Sequence, residues 1–112
     1  MTKNKAVLTV LVGLMAIDEV IDMNEIDEIN EFMCKGKYDY NCLDIGIANN
    51  LLLLDSEEIE EHFNKAVDFL KDCDKEEKRY IYEYACMVVD SDGILDEGEE
   101  RLLNKLKNVW GL

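Results

Sequence analysis

The sequence predicts an all-α protein that forms one compact bundle of about six helices. Three observations favour this fold class: proline is absent, 48% of the 112 residues are hydrophobic, and long segments repeat apolar residues at helical spacing. A chain of this length supports one domain with one core. No linker or low-complexity segment divides residues 1–112, so a single domain is expected.

The first helix is predicted over residues 5–17, which are apolar on nearly every side. Such a segment is typical of a helix that is enclosed in the core. Lys3 and Lys5 in front of this run also mimic a short signal sequence. However, no small-residue cleavage site follows, and the run is too short to span a bilayer. We therefore expect a buried helix in a cytoplasmic protein.

Two further helices are predicted before residue 55. The second starts near Met23 and stops before Gly36, because glycine commonly ends helices. The third covers about residues 42–54 and contains the run NNLLLL. The second helix is expected to bury four apolar residues, namely Ile26, Ile29, Phe32 and Met33.

Three more helices are predicted after residue 55, each starting at an acidic capping box. In this motif an Asp accepts a hydrogen bond from the first helical turn, and a Glu three residues later reaches back. The boxes start at Asp55, Asp74 and Asp96, and a fourth at Asp22 starts the second helix. The inward-facing residues are expected to be Ile59, Phe63, Val67 and Leu70, then Ile81, Tyr84, Ala85 and Val88, and finally Leu102, Leu103, Leu106, Val109 and Trp110.

The net charge of −14 narrows the classes of binding partner. An acidic chain gains no counterion release from nucleic acid and is repelled by anionic membranes, so direct contact with either is not expected. It attracts cations and proteins with basic surfaces. Solubility alone also explains such a charge on a small domain.

The four cysteines and one histidine give little support to a zinc site, because no CxxC pair occurs. Cys86 falls in an apolar helical pattern and is expected to be a buried free thiol. Two disulfides remain an alternative for an exported protein. His62 borders the apolar face of its helix and is expected to be a partly exposed residue without a catalytic role.

A shift of 74 residues lays residues 5–34 over residues 79–108. The shared pattern is a helix, then D-x-[VI]-[IL]-D-x-x-E, then a second helix. Asp18 falls on Asp92, Asp22 on Asp96, and the apolar positions on both sides also correspond. Amphipathic helices match one another easily, but the acidic positions are harder to match by accident. The sequence therefore predicts an internal duplication with two pseudo-symmetric helical hairpins.

The segment DSDGILDEGEE carries the main candidate metal site. Capping explains its last Asp and its Glu, but it does not explain two further carboxylates beside a glycine that permits a sharp turn. Oxygen-rich clusters of this kind suit Ca²⁺ and, less well, Mg²⁺. In the register of a calcium-binding EF-hand loop, the first ligand position falls on Val88. A weak or incomplete site is therefore expected, or one that water or a partner completes. The predicted ligands are Asp90, Asp92, Asp96 and Glu99.

The N-terminal copy contains a weaker candidate site. Asp18, Asp22 and Glu25 remain there, whereas Ala16 replaces Asp90 and Glu19 replaces Gly93. Helix capping by Asp22 and Glu25 is an alternative that needs no metal.

The stretch ACMVVDSDGILDEGEERLLNKL resembles the signature of the TerB-like (tellurite-resistance TerB) domains. In that family an Ala-containing helix runs into D-x-D-G-x-[IL]-x-x-x-E and then into a leucine-bearing helix. The resemblance implies an all-helical fold with internal pseudo-symmetry and a clustered acidic surface. It further implies a non-enzymatic cytoplasmic adaptor in stress response or phage defence, linked to metal and in some cases to membranes through partners.

Two functions are therefore expected ahead of catalysis. The first is an interaction module that binds a protein with a basic surface and carries a divalent cation. The alternative is an acidic decoy that blocks a nucleic-acid-binding groove, which requires carboxylates spaced along a ribbon rather than converging on one point. Paired carboxylates also serve acid–base catalysis, but no nucleophile, phosphate loop or histidine partner accompanies them, so an enzyme is not expected.

Overall fold

The computed structural model describes residues 2–17, 31, 53–90 and 97–112. These ranges contain α-helices and no strand, which confirms the predicted all-α class. They contain four helices, so the predicted count of six is not supported. The helices expected near residues 23–33 and 42–54 lie outside the described residues, apart from residue 31 and the end of the second range. The four helices are α1 (Lys3–Ala16), α2 (Ser56–Leu70), α3 (Lys75–Asp90) and α4 (Glu97–Trp110).

Helix α1 is the centre of the described core, as predicted. It contacts α2, α3 and α4, and every residue from Ala6 to Ile17 is buried. The one polar side chain in that run, Thr9, donates its hydroxyl hydrogen to the Lys5 carbonyl at 2.7 Å, which satisfies it inside the core. At the start of the helix, the Thr2 side chain accepts a hydrogen bond from the Lys5 amide at 3.3 Å.

Gly13 lets α1 approach α2 closely. A Cβ atom at this position would lie 3.2 Å from Cδ2 of Phe63, a fully buried side chain of α2. That distance is tighter than ordinary van der Waals contact, so the absence of a side chain at Gly13 makes room for the Phe63 ring.

Helix α2 is capped at both ends. At its start, the Asp55 carboxylate accepts a hydrogen bond from the Glu58 amide at 2.8 Å, which confirms the predicted cap. At its end, the last carbonyls have no partner within the helix. The indole Nε1 of Trp110 donates to the Val67 carbonyl at 3.1 Å, and the Cys73 amide donates to the Leu70 carbonyl at 3.0 Å. The buried Trp110 therefore joins the end of α4 to the end of α2.

Helices α3 and α4 begin where the capping boxes predict, directly after positions 74 and 96. The carbonyl of Asp74 accepts a hydrogen bond from the Lys78 amide at 2.9 Å. The expected inward positions of both helices are mostly confirmed, with Ile81, Ala85, Leu102, Leu103, Leu106 and Trp110 buried.

Two expected core positions are corrected. Val109 is 47% exposed, because Glu99, Leu102, Leu103, Leu106 and Trp110 form the inward face of α4 and Val109 lies beside that face. Tyr84 is partly buried, whereas Val89 takes the inward position that continues Ile81 and Ala85 at four-residue spacing. The side chain of Val88 lies outside the described part of the structure.

The predicted duplication stays a prediction, because the structure describes only part of the two segments that it involves. Moved by 74 residues, α1 covers residues 77–90, which fall inside α3 and end with it at Asp90. Of the helix that would correspond to α4, the structure describes only residue 31.

Among the described helices, none combines the length and the apolar composition that a membrane span requires.

Candidate functional site

The predicted metal site lies where α3 is joined to α4. These two helices pack against each other, and residues 91–96 connect them. Asp90 is the last residue of α3, and Glu99 is the third residue of α4. Asp92 and Asp96 lie outside the described residues, as does the side chain of Asp90. The structure therefore places the two ends of the predicted site on adjoining helices and leaves the ligand set as a prediction.

Glu99 is the one predicted ligand whose side chain is described, and its residue is only 3% exposed. An ionised carboxylate is costly to bury unless hydrogen bonds or opposite charge compensate it. Glu99 has at least one interaction partner within the protein. Its position also matches the Glu of a capping box, because α4 starts at Glu97. The start of a helix favours a carboxylate through the helix dipole as well.

Converging metal ligands are not seen in the part of the chain that the structure describes. No group of three or more His, Cys, Asp or Glu residues there is placed to hold a metal ion. His62 is exposed on α2, close to the expectation of a partly exposed helix residue. The second predicted site, at Asp18, Asp22 and Glu25, lies outside the described residues.

A second buried carboxylate, Glu77, is the third residue of α3, and its burial was not predicted from the sequence. Its side chain is 7% exposed and forms a salt bridge with the Lys3 ammonium group at 3.0 Å. The hydrogen bond to Glu77 raises the pKa of Lys3. The signal was present in the pattern, because Glu77 precedes Ile81 by four residues and so lies on the inward face of α3.

Cys73 lies beside this pair. Burial, followed by the negative charge of Glu77, raises the pKa of its thiol, so the thiolate form is disfavoured there. Cys73 and Cys86 are both partly buried, and neither forms a disulfide. Cys86 is therefore a thiol as expected, but it is less buried than expected. Cys34 and Cys42 lie outside the described residues.

Glu60 forms the second ionic cluster, between α2 and α4. Its carboxylate lies 3.0 Å from the Lys105 ammonium and 3.0 Å from an Arg101 guanidinium nitrogen. The hydrogen bond from Lys105, followed by the positive charges of Lys105 and Arg101, lowers the pKa of Glu60. Sequence periodicity does not reveal such a cluster, because it depends on which helices become neighbours.

A family model described as "Tellurite resistance protein TerB" matches residues 4–112 of the chain. The chain belongs to the TerB family. The match extends over essentially the whole sequence, including the segment DSDGILDEGEE on which the resemblance was based. No curated protein and no solved structure matches the chain significantly.

The TerB chain carries a row of exposed carboxylates on α2. Glu57, Glu61 and Asp68 are exposed and are spaced by four and then seven residues, which places them on one face of the helix. They span about 16 Å at 1.5 Å per residue. Basic residues interrupt the row, since Lys65 is exposed nearby and Lys71 pairs with Asp68 at 3.0 Å.

The outer face of α4 in the TerB chain forms a groove with both acidic and basic side chains, unlike the row of carboxylates on α2. A shallow groove of about 850 Å³ follows this face. Acidic side chains lie at its start and basic side chains further along, an order that complements the helix dipole. The groove is lined by Glu97, Gly98, Glu100, Arg101, Asn104, Lys105, Asn108 and Val109.

Proposed function

We propose that this TerB protein is a non-enzymatic cytoplasmic interaction module in stress response or phage defence. In this proposal residues 90–99, where α3 ends and α4 begins, bind a divalent cation, Ca²⁺ or Mg²⁺, through Asp90, Asp92, Asp96 and Glu99. The surrounding acidic surface binds a protein partner with a basic surface, and neither nucleic acid nor membrane is contacted directly.

The observation that supports this proposal most is the burial of Glu99 at the start of α4. In the calcium-loop register Glu99 is the last predicted ligand, and as the third residue of α4 it is 3% exposed. A last ligand on a helix that packs into the core is held in a fixed place, which lowers the ordering cost of binding. Asp90 at the end of α3 supplies the opposite end of the segment.

A role without catalysis fits the described residues. The thiol of Cys73 has a raised pKa, the opposite of what an activated nucleophile requires. His62 is exposed on α2. Glu60 and Glu77 are engaged in ion pairs between helices, which is a structural use of carboxylates.

A calcium and magnesium titration followed by thermal unfolding tests the cation site. Weak calcium sites, such as those of extracellular modules, have Kd values of about 0.1–1 mM. Such a site stabilises the folded state by roughly 1.4–2.7 kcal/mol at about 10 mM Ca²⁺, which raises the Tm by several degrees. Asp92→Asn removes a ligand charge outside the capping box and is expected to abolish most of this rise.

Asp55→Asn is the matched control for that titration. It also replaces an Asp by Asn, at a capping position where both residue types perform well, and is expected to keep the full rise in Tm. A wild-type protein without any rise at millimolar Ca²⁺ contradicts the isolated site. An equal rise in Asp92→Asn would show that the cation acts elsewhere on the acidic surface.

The acidic decoy remains a second candidate because of the row on α2. Glu57, Glu61 and Asp68 are spaced along a helix face rather than gathered at one point, which is the charge geometry that a decoy needs. Lys65 and the ion pair between Lys71 and Asp68 weaken the resemblance to a phosphate backbone, so the interaction module is preferred.

A displacement assay separates the two candidates. Fluorescent double-stranded DNA is bound to an oligo-lysine peptide, and the TerB protein is added with and without Ca²⁺. A decoy displaces the DNA without Ca²⁺, and Glu57→Gln with Glu61→Gln weakens this displacement several-fold. Glu76→Gln with Glu83→Gln removes the same charge from the exposed surface of α3 and is the control. Equal weakening by both pairs would exclude a role specific to α2.

A further inference from the structure

We draw no further inference here: the strongest candidate, the groove along the outer face of α4 from Glu97 to Val109, carries acidic and basic side chains in the order that the helix dipole alone favours, and nothing in the structure shows what covers it.

Discussion

At the scale of single residues, Glu77 and Glu99 show how the same local motif acquires different surroundings. Each is the third residue of its helix, and each is buried, at 5% and 3% exposure. Glu58 occupies the same position in α2 but is exposed. The difference follows from the residues one turn later. Ile81 and Leu103 lie on the inward faces of their helices, and Glu77 and Glu99, four positions earlier, lie on the same faces. A capping box therefore predicts where a helix begins. Whether its Glu is buried depends on whether the Glu lies on the side of the helix that faces the core.

Replacing Lys3 by Met is expected to destabilise the protein by about 1 kcal/mol at neutral pH. The variant keeps an apolar stem but leaves the buried Glu77 carboxylate without its ammonium partner. Because the Lys3 side chain is half exposed, solvent screening keeps the loss well below that of a fully buried pair. Urea unfolding of wild type and Lys3→Met at pH 7 measures the difference.

The pH dependence of that difference identifies its cause. The hydrogen bond to Glu77 raises the pKa of Lys3 above its usual value of 10.5. The pair therefore stabilises the folded state fully below that value and loses its contribution as pH rises through the folded-state pKa. The gap between wild type and Lys3→Met should be constant from about pH 7 to 9 and narrow above about pH 10.5. Lys5→Met, at an exposed position, is the control and should change stability by less than about 0.5 kcal/mol. A comparable loss in Lys5→Met would argue against the ion pair as the cause.

At the scale of helices, the sequence predicted where helices begin better than it predicted which helices pack against each other. The starts of α2, α3 and α4 follow Asp55, Asp74 and position 96 as predicted, because a cap depends on residues within one turn. The burial of α1 was equally predictable, since a helix with an apolar residue at nearly every position has no polar face to expose to water. By contrast, the link from Trp110 to the Val67 carbonyl joins residues 43 positions apart. Only the packing of α4 against α2 brings those two groups together.

The ion pairs between α2 and α4 are expected to make stability depend on acid pH. Lys105 and Arg101 lower the pKa of Glu60 below its usual value of 4.5. A carboxylate with a lowered pKa stabilises the folded state above its unfolded pKa, and the contribution is lost as pH falls through the folded-state pKa. Glu60→Gln should therefore be less stable than wild type at about pH 6, by roughly 1 kcal/mol, and the two should converge near about pH 3.

Chemical unfolding at several pH values between those limits measures the effect. Glu57→Gln, at an exposed position on the same helix, is the matched control and should follow the wild-type profile closely. Parallel profiles of wild type and Glu60→Gln across the whole range would mean that the ion pairs contribute nothing to folding.

At the scale of the whole molecule, the family and the fold class could be predicted from the sequence. For the metal site, the sequence predicted candidate ligands but not whether they converge. The D-x-D-G segment is a local pattern, and the family match over residues 4–112 confirms the resemblance drawn from it. The convergence of ligands is a different matter, because it depends on the path of the chain between two helices. Glu99 illustrates the limit, since spacing made it a candidate ligand while its burial depends on how α4 packs in the core.

The net charge of −14 on a molecule of 31 × 27 × 27 Å is expected to make added salt stabilising. Like charges repel across the folded surface, and salt shortens the Debye length from about 30 Å at 0.01 M to about 3 Å at 1 M. Salt also weakens exposed ion pairs such as Lys71 with Asp68, but such pairs contribute little to stability because solvent screens them. The Tm should therefore rise between about 0.02 M and 0.5 M NaCl, and by less in a variant with Glu57, Glu61 and Glu83 changed to Gln.

Calcium chloride at equal ionic strength separates this screening from a bound cation. If Ca²⁺ acts only as a counterion, its effect beyond NaCl should fall in the triple Gln variant, which lowers the surface charge and leaves residues 90–99 unchanged. If Ca²⁺ binds at the segment between α3 and α4, the extra rise in Tm should persist in that variant and disappear in Asp92→Asn. Loss of the extra rise in the triple variant, with Asp92→Asn unaffected, would assign the whole response to diffuse charge and would rule out the proposed site.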